Sequence, residues 1–182
     1  MRRVLLVVAF IVCNLLKIQA SDNTQLPIIP YPSDIQIMDG HFVMDNEVII
    51  SAEYPKEFGN EVQYLQSLLE NAVGNKIAIS KNAKKGMFEV KQDITLSSDE
   101  AYKLDITSDK VIISAKEPAG VFYAIQTLRQ IMPLENQGTI VLPNLKIQDN
   151  PGFKWRGMHL DVSRHFFNLD YLRKHIDRLS FY

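Results

Sequence analysis

The chain has almost no cysteine, and this absence limits its covalent chemistry. The single cysteine among the 182 residues, Cys13, follows an apolar run at residues 4–12, which is itself preceded by Arg2 and Arg3. A basic start, a short apolar run and a small residue before the cleavage point are typical of a secretory signal peptide, which we predict at residues 1–20. The remaining chain then contains no cysteine, so we expect no disulfide bond in the mature protein.

Glycosylation sequons are absent as well, since no asparagine has serine or threonine two positions further on. Secreted eukaryotic domains often carry disulfides or such sequons. We therefore expect an exported bacterial protein, located in the periplasm or secreted. The apolar run near the start is about half the roughly 20 residues that a membrane-spanning helix needs. No membrane partner is expected once the signal peptide is removed.

An excess of positive charge is missing too. The whole chain has 20 basic and 21 acidic residues, for a net charge of −1. Three of the basic residues and none of the acidic ones lie in the predicted signal peptide, so the mature chain carries a charge of about −4. Proteins that bind nucleic acid usually present a basic surface, and we expect no nucleic-acid partner. The 46% of hydrophobic and 23% of charged residues are ordinary for a globular protein.

Motifs for metals, phosphates and activated serine nucleophiles are not found either. The sequence has no H-E-x-x-H, no phosphate-binding glycine loop and no G-x-S-x-G. His159, His165 and His175 follow one another at spacings of six and ten residues, which match no common pattern of metal ligands. We predict no metal site and no cofactor.

Hydrophobic periodicity predicts two helices among short strands in the first part of the chain. Apolar residues at alternating spacings of four and three predict a helix that ends at Gly74. A second helix begins at Pro118 and is stopped by Pro133. The dipeptide Asp39-Gly40 predicts a hairpin turn between two strands. Further strands, with a hairpin between the fourth and fifth, are predicted at residues 47–51, 76–80, 87–90, 102–107, 111–115 and 145–147.

A cluster of turn-forming residues at 149–152 predicts a domain boundary. Before it, at residues 21–150, we expect an α+β domain with a mostly antiparallel sheet and two helices on one face. After it, residues 151–182 are predicted to form a strand at 156–162 and then a helix that Asn168 caps. The helix continues to the last residue without Gly or Pro, so we expect the front end of a longer protein. Its predicted buried stripe consists of Leu169, Leu172, Ile176 and Leu179.

Two stretches resemble one protein family. Residues 149–167, D-N-P-G-F-K-W-R-G-M-H-L-D-V-S-R-H-F-F, are similar to the start of the catalytic domain in family 20 glycoside hydrolases, the β-N-acetylhexosaminidases. Residues 120–130, G-V-F-Y-A-I-Q-T-L-R-Q, are similar to the second helix of that family's N-terminal domain. The resemblance implies that residues 151–182 begin a (β/α)8 TIM barrel. Only its first β/α unit is present in this sequence, because a closed barrel takes about 250 residues.

The resemblance also implies an activity. Family members remove terminal β-linked N-acetylglucosamine or N-acetylgalactosamine from glycans and chitooligosaccharides, and the substrate's acetamido group acts as the nucleophile with retention. The family's adjacent Asp-Glu pair lies on a later strand, so the resemblance implies no catalytic residue within these 182 residues. Arg164 matches the family's arginine that binds the hydroxyls of the terminal sugar. A guanidinium has fixed N–H donors that can bind two neighbouring hydroxyls at once.

Alternatives exist for the residue and for the whole chain. An ion pair with Asp161 is the alternative role for Arg164. A family 84 O-GlcNAcase is a second kind of two-domain glycosidase, but E-G-F-Y-G follows its Arg-Gly pair where this sequence has M-H-L-D-V-S-R. A non-catalytic carbohydrate-binding or scaffolding module is the third reading. Scaffolding is favoured over sugar binding because the aromatic residues before position 150 fall mostly within predicted strands and helices.

Overall fold

The structure is a computed structural model that describes residues 26–44, 48–51, 54–80, 87–132 and 139–182. The predicted signal peptide and the predicted helix stop at Pro133 lie outside these residues. The described residues form seven strands and three α-helices: β1 (Asp34–Met44), β2 (Ile49–Ser51), α1 (Gly59–Val73), β3 (Ala78–Ser80), β4 (Phe88–Gln92), β5 (Tyr102–Ile106), β6 (Val111–Ala115), α2 (Pro118–Ile131), β7 (Ile140–Asp149) and α3 (Leu169–Phe181).

The described strands form one sheet in the order β1-β7-β5-β6-β4-β2-β3. The pairs β1–β7, β7–β5 and β5–β6 are antiparallel, whereas β6–β4, β4–β2 and β2–β3 are parallel. Most of the paired residues are thus antiparallel, as predicted, but the sheet is mixed because three of its six pairings are parallel. Parallel neighbours need a crossover between them. Here α1 connects β2 to β3, and β5 reverses the chain between β4 and β6.

Local signals located the helices and one hairpin correctly. Gly74 ends α1 with a left-handed φ of 77°, and its N–H donates to the carbonyl of Glu70 at 2.8 Å. Pro118 begins α2. The predicted hairpin of β5 and β6 is confirmed, since the N–H of Thr107 donates to the carbonyl of Lys110 across its turn.

The turn predicted at Asp39-Gly40 is not a hairpin turn. Strand β1 continues through it, and both parts pair with β7, with a register shift between Ile37 and His41. Gly40 has a φ of 95°, which suits glycine because it lacks a Cβ. The Asn144 side chain on β7 fills the irregularity by donating to the carbonyl of Asp39 at 2.9 Å. The positive φ therefore produces a bulge rather than a chain reversal.

The core lies on one face of the sheet. In β5 and β6 every second residue is buried, which is the pattern of a strand covered on one side. One continuous cluster of buried apolar side chains joins this face to α1 and α2, as expected for two helices on one face. A Cβ at Gly120 of α2 would lie 2.4 Å from the carbonyl oxygen of Ala101. Because Gly120 has no side chain, α2 packs closely against the residue that precedes β5.

The C-terminal segment, residues 151–182, contains the confirmed helix but not the predicted strand. The described residues between 151 and 168 form no strand, so the strand predicted at 156–162 is not formed in this structure. A strand needs neighbours for its backbone hydrogen bonds, and none of the seven described strands pairs with these residues.

Helix α3 is capped as predicted, because Asn168 Oδ1 accepts the N–H of Tyr171 at 2.8 Å. No residue of α3 is buried, however, and the prediction of a buried stripe is wrong. Leu169 is 67% exposed and Ile176 is 64% exposed. An apolar stripe is buried only where another element covers it, and no described element covers this one.

Candidate functional site

Arg164 lies in a tight turn that Asp161 organises. Asp161 Oδ1 accepts the backbone N–H groups of Ser163 at 2.9 Å and of Arg164 at 3.1 Å. Asp161 Oδ2 accepts from Arg164 Nε at 2.5 Å. The Arg164 side chain is nevertheless 91% exposed. The ion pair that the sequence offered as an alternative is thus present, and it uses Nε, so the donors on the two terminal nitrogens remain for another partner.

The hydrogen bonds of this turn also determine the charge of Asp161. The backbone N–H of Arg164, then that of Ser163, then the Arg164 side chain lower the pKa of Asp161 below its ordinary value. A carboxylate that accepts several N–H groups is stabilised in its charged form. Asp161 is therefore ionised at neutral pH, which suits it to orienting Arg164 and does not suit it to donating a proton.

The three histidines of this region are not gathered into one site. His165 packs its ring edge to face with Phe167 at 5.1 Å between centroids. His175 stacks on Tyr171 at 6.0 Å, and Tyr171 stacks on Phe167 at 4.4 Å, so these rings form a row along the start of α3. Within the described ranges, no group of three or more His, Cys, Asp or Glu side chains is placed to hold a metal ion.

A second cluster, which the sequence did not reveal, joins the C-terminal segment to the turn before β5 and to α2. Arg156 donates from both terminal nitrogens to the Glu100 carboxylate, at 3.1 Å each. It also donates to the Tyr123 hydroxyl at 2.9 Å and to the carbonyl of Phe153. Its guanidinium lies over the Tyr123 ring, 5.3 Å from the centroid. We call Arg156, Glu100 and Tyr123 the Arg156 clamp.

The hydrogen bonds between Arg156 and Glu100 in the clamp are charge-assisted. Glu100 is the main cause that raises the pKa of Arg156, and the Tyr123 hydroxyl adds to it. The Arg156 and Glu100 side chains are 37% and 32% exposed, so water screens the pair only in part. The sequence placed Arg156 in a family motif but gave no signal for its partner, because Glu100 is 56 positions away.

A further contact joins the end of α3 to α2. Gln130 Nε2 donates to the carbonyl of Phe181 at 3.2 Å and to that of Ile29 at 3.0 Å. The Arg129 guanidinium lies 4.6 Å from the centroid of the Phe181 ring. Between this contact and the Arg156 clamp lies a mostly apolar cavity of about 340 Å³. Tyr102 is one of the residues that line it. The Tyr102 hydroxyl is hydrogen-bonded to Thr127 Oγ1 at 2.6 Å, and burial is the main cause that raises its pKa.

No helix in the described part of the chain combines the length and the hydrophobicity needed to cross a membrane.

Two family models match the chain in succession. The model described as "Glycosyl hydrolase family 20, domain 2" matches residues 25–150. The model described as "Glycosyl hydrolase family 20, catalytic domain" matches residues 153–182. The first match alone covers more than half of the chain.

Similar proteins include a beta-N-acetylhexosaminidase from Cellulomonas fimi, 41% identical over 86 residues, which are 47% of this chain and 17% of the relative. A beta-hexosaminidase from Porphyromonas gingivalis is 29% identical over 197 residues, covering 94% of this chain and 24% of the relative. The chain thus spans about a quarter or less of the length of these two relatives.

Solved structures of hexosaminidases are also similar to this chain. A Vibrio harveyi GH20 exo-β-N-acetylglucosaminidase in complex with N-acetylglucosamine superposes with a TM-score of 0.75 at 26% identity, covering 86% of this chain and 24% of that one. A mutant Streptomyces plicatus β-hexosaminidase in complex with the product GlcNAc gives a TM-score of 0.76 at 29% identity, covering 85% and 32% of the two chains.

Proposed function

Because this chain belongs to glycoside hydrolase family 20, we propose that it is the N-terminal portion of an exo-β-N-acetylhexosaminidase. The complete enzyme removes terminal β-linked N-acetylglucosamine or N-acetylgalactosamine from glycans and chitooligosaccharides. The observation that carries the proposal is the succession of the two family matches, the second of which includes Arg164. The relatives named above, a hexosaminidase from each of two bacteria, support the same substrate class.

The proposed mechanism is substrate-assisted. The 2-acetamido carbonyl oxygen of the substrate attacks the anomeric carbon, the glycosidic bond breaks, and the leaving glycan oxygen takes a proton from a glutamic acid. Water, which gives a proton back to that glutamate, then attacks the anomeric carbon and displaces the acetamido oxygen, so the sugar is released with net retention. A neighbouring aspartate orients the acetamido group and stabilises the positive charge that develops on it. Attack by a tethered group is fast because the reacting atoms are already close. In the family both carboxyl residues follow the part of the sequence that corresponds to this chain.

Arg164 is the sugar-binding residue that we assign within this chain. Asp161 holds it through Nε, so the two terminal nitrogens form a fork that can donate to two neighbouring hydroxyls of the terminal sugar. The exposure of the side chain leaves this fork accessible. In the complete protein, we place residues 151–182 as the first β/α unit of the barrel, where strand ends carry the substrate-binding residues. Residues 21–150 then form the N-terminal domain, and the signal peptide at 1–20 directs export to the periplasm or the medium.

The test is hydrolysis of an aryl β-N-acetylglucosaminide by the complete protein. We expect release of the aryl group with retention at the anomeric carbon, measured by proton NMR of the first product. Arg164→Ala should lower kcat/KM by about a hundredfold or more, because it removes several charge-assisted hydrogen bonds to the sugar. Arg173→Ala, which removes an exposed arginine of α3 that pairs with Asp170, is the matched control and should retain activity. An inactive wild-type protein would contradict the proposed function, whereas an active Arg164→Ala variant would contradict only the role of Arg164.

A further inference from the structure

The C-terminal segment is fastened to the rest of the chain near both of its ends. Near its start the Arg156 clamp joins it to Glu100, before β5, and to Tyr123 of α2. At its end the carbonyl of Phe181 accepts from Gln130 of α2. Arg164 lies between these two attachments. Its hydrogen bonds with Asp161 lie within the segment.

We propose that Arg156 is a positioning residue, through which α2 and the turn before β5 fix the position of the sugar-binding Arg164. This inference rests on the proposed function for the role of Arg164. The described residues between 151 and 168 have no strand pairing to hold them. In this structure the Arg156 clamp joins the stretch to the rest of the chain through three hydrogen bonds, to Glu100 and Tyr123. The clamp consists of side chains, so it is compatible with the backbone pairing of the strand that we propose for the complete protein. The N-terminal domain thus supports substrate binding through the contacts of Arg156 with Glu100 and Tyr123.

The chemistry of the clamp requires an arginine. A planar guanidinium can pair with both oxygens of Glu100, donate to the Tyr123 hydroxyl and lie over an aromatic ring at the same time. It also bonds the carbonyl of Phe153, three residues earlier, and so holds the turn that begins the segment. A lysine keeps the charge but has no fork, so it cannot make these contacts together.

The first test is amide hydrogen exchange on the 182-residue chain. In Arg156→Lys and in Glu100→Gln, we expect the amides of residues 153–168 to exchange about tenfold faster, because charge-assisted contacts that resist local opening are lost. The amides of β5 and β6 should be unchanged. Lys76→Gln removes an ion pair with Glu70 whose lysine side chain is 93% exposed, and it should leave residues 153–168 unaffected. Unchanged exchange in 153–168, or equally faster exchange throughout the sheet, would overturn the proposal.

The second test uses the complete protein and separates positioning from stability. Arg156→Lys should raise KM for the aryl glycoside about tenfold, by displacing a residue that binds the sugar, while the thermal midpoint of the N-terminal sheet stays the same. The double variant with Glu100→Gln should have the same KM as Arg156→Lys alone, because both substitutions break the same contact. Unchanged KM in an active enzyme would refute the positioning role. A wild-type protein that releases no sugar would contradict both the proposed function and the positioning role. This holds even if amide hydrogen exchange shows that the Arg156 clamp holds the segment.

Discussion

At the scale of single residues, the carboxylate of Asp161 is held more by the backbone than by the arginine beside it. The N–H groups of Arg164 and Ser163 are the two largest causes of its lowered pKa, and the Arg164 side chain is only the third. A four-residue turn therefore sets both the charge of Asp161 and the direction in which Arg164 leaves the backbone. Arg164, which we propose binds the sugar, is thus oriented before any substrate arrives, and this reduces the entropic cost of binding.

This ranking of causes gives a titration prediction. Arg164→Ala removes the guanidinium but keeps the backbone N–H, so the pKa of Asp161 should rise and still stay below its ordinary value of 3.8. Carbon-13 NMR of the side-chain carboxyl, followed from neutral pH downwards, measures this directly. Arg173→Ala is the control and should leave the Asp161 titration unchanged. A variant pKa at the ordinary value would mean that the ion pair, and not the turn, holds the carboxylate.

At the scale of elements, β1 is one strand because Gly40 takes a conformation that other residues rarely adopt. Its φ is 95°, and a Cβ at this position would lie 2.6 Å from Asn144 Nδ2. Gly40→Ala should therefore lower the free energy of unfolding by about 1–3 kcal/mol, through backbone strain and displacement of the Asn144 side chain.

Urea unfolding of the 182-residue chain checks this prediction against a second glycine. Gly59 has a φ of −58° at the start of α1, and a Cβ there would meet no atom within 4 Å. Gly59→Ala should therefore change stability by less than about 1 kcal/mol, in the stabilising direction. Equal effects of the two substitutions would show that a side chain at position 40 causes no strain.

The same elements show which parts of the fold the sequence can predict. Helices α1, α2 and α3 follow from apolar periodicity with a glycine, proline or asparagine at one end, which are local signals. The parallel half of the sheet does not follow, since β2 and β3 have three residues each and their order depends on contacts between distant parts of the chain. The site divides in the same way. Asp161 and Arg164 are three positions apart, so their pairing was foreseen as an alternative, but no local pattern could connect Arg156 to Glu100.

At the scale of the whole molecule, several carboxylates make the free energy of unfolding depend on pH in the acidic range. Hydrogen bonds from the Thr95 hydroxyl and then from Lys103 lower the pKa of Asp93 from 3.8 to about 2. The backbone N–H of Ile77 and then Lys76 lower the pKa of Glu70, and Lys91 is the main cause that lowers the pKa of Glu89. A group whose pKa is lower in the folded state stabilises the fold above its unfolded pKa. That stabilisation is lost as the pH falls through the folded pKa.

The sign of these shifts predicts a loss of stability on the acid side only. For Asp93 the contribution is complete above about pH 4 and disappears as the pH approaches 2. The urea midpoint of the 182-residue chain should therefore be nearly constant from about pH 7 to 5 and then fall steadily towards pH 2. Asp93→Asn, which cannot titrate, should start from a lower midpoint at neutral pH and fall less steeply between pH 4 and 2. Parallel acid profiles for the two proteins would show that the contacts of Asp93 with Thr95 and Lys103 do not stabilise the folded state in solution.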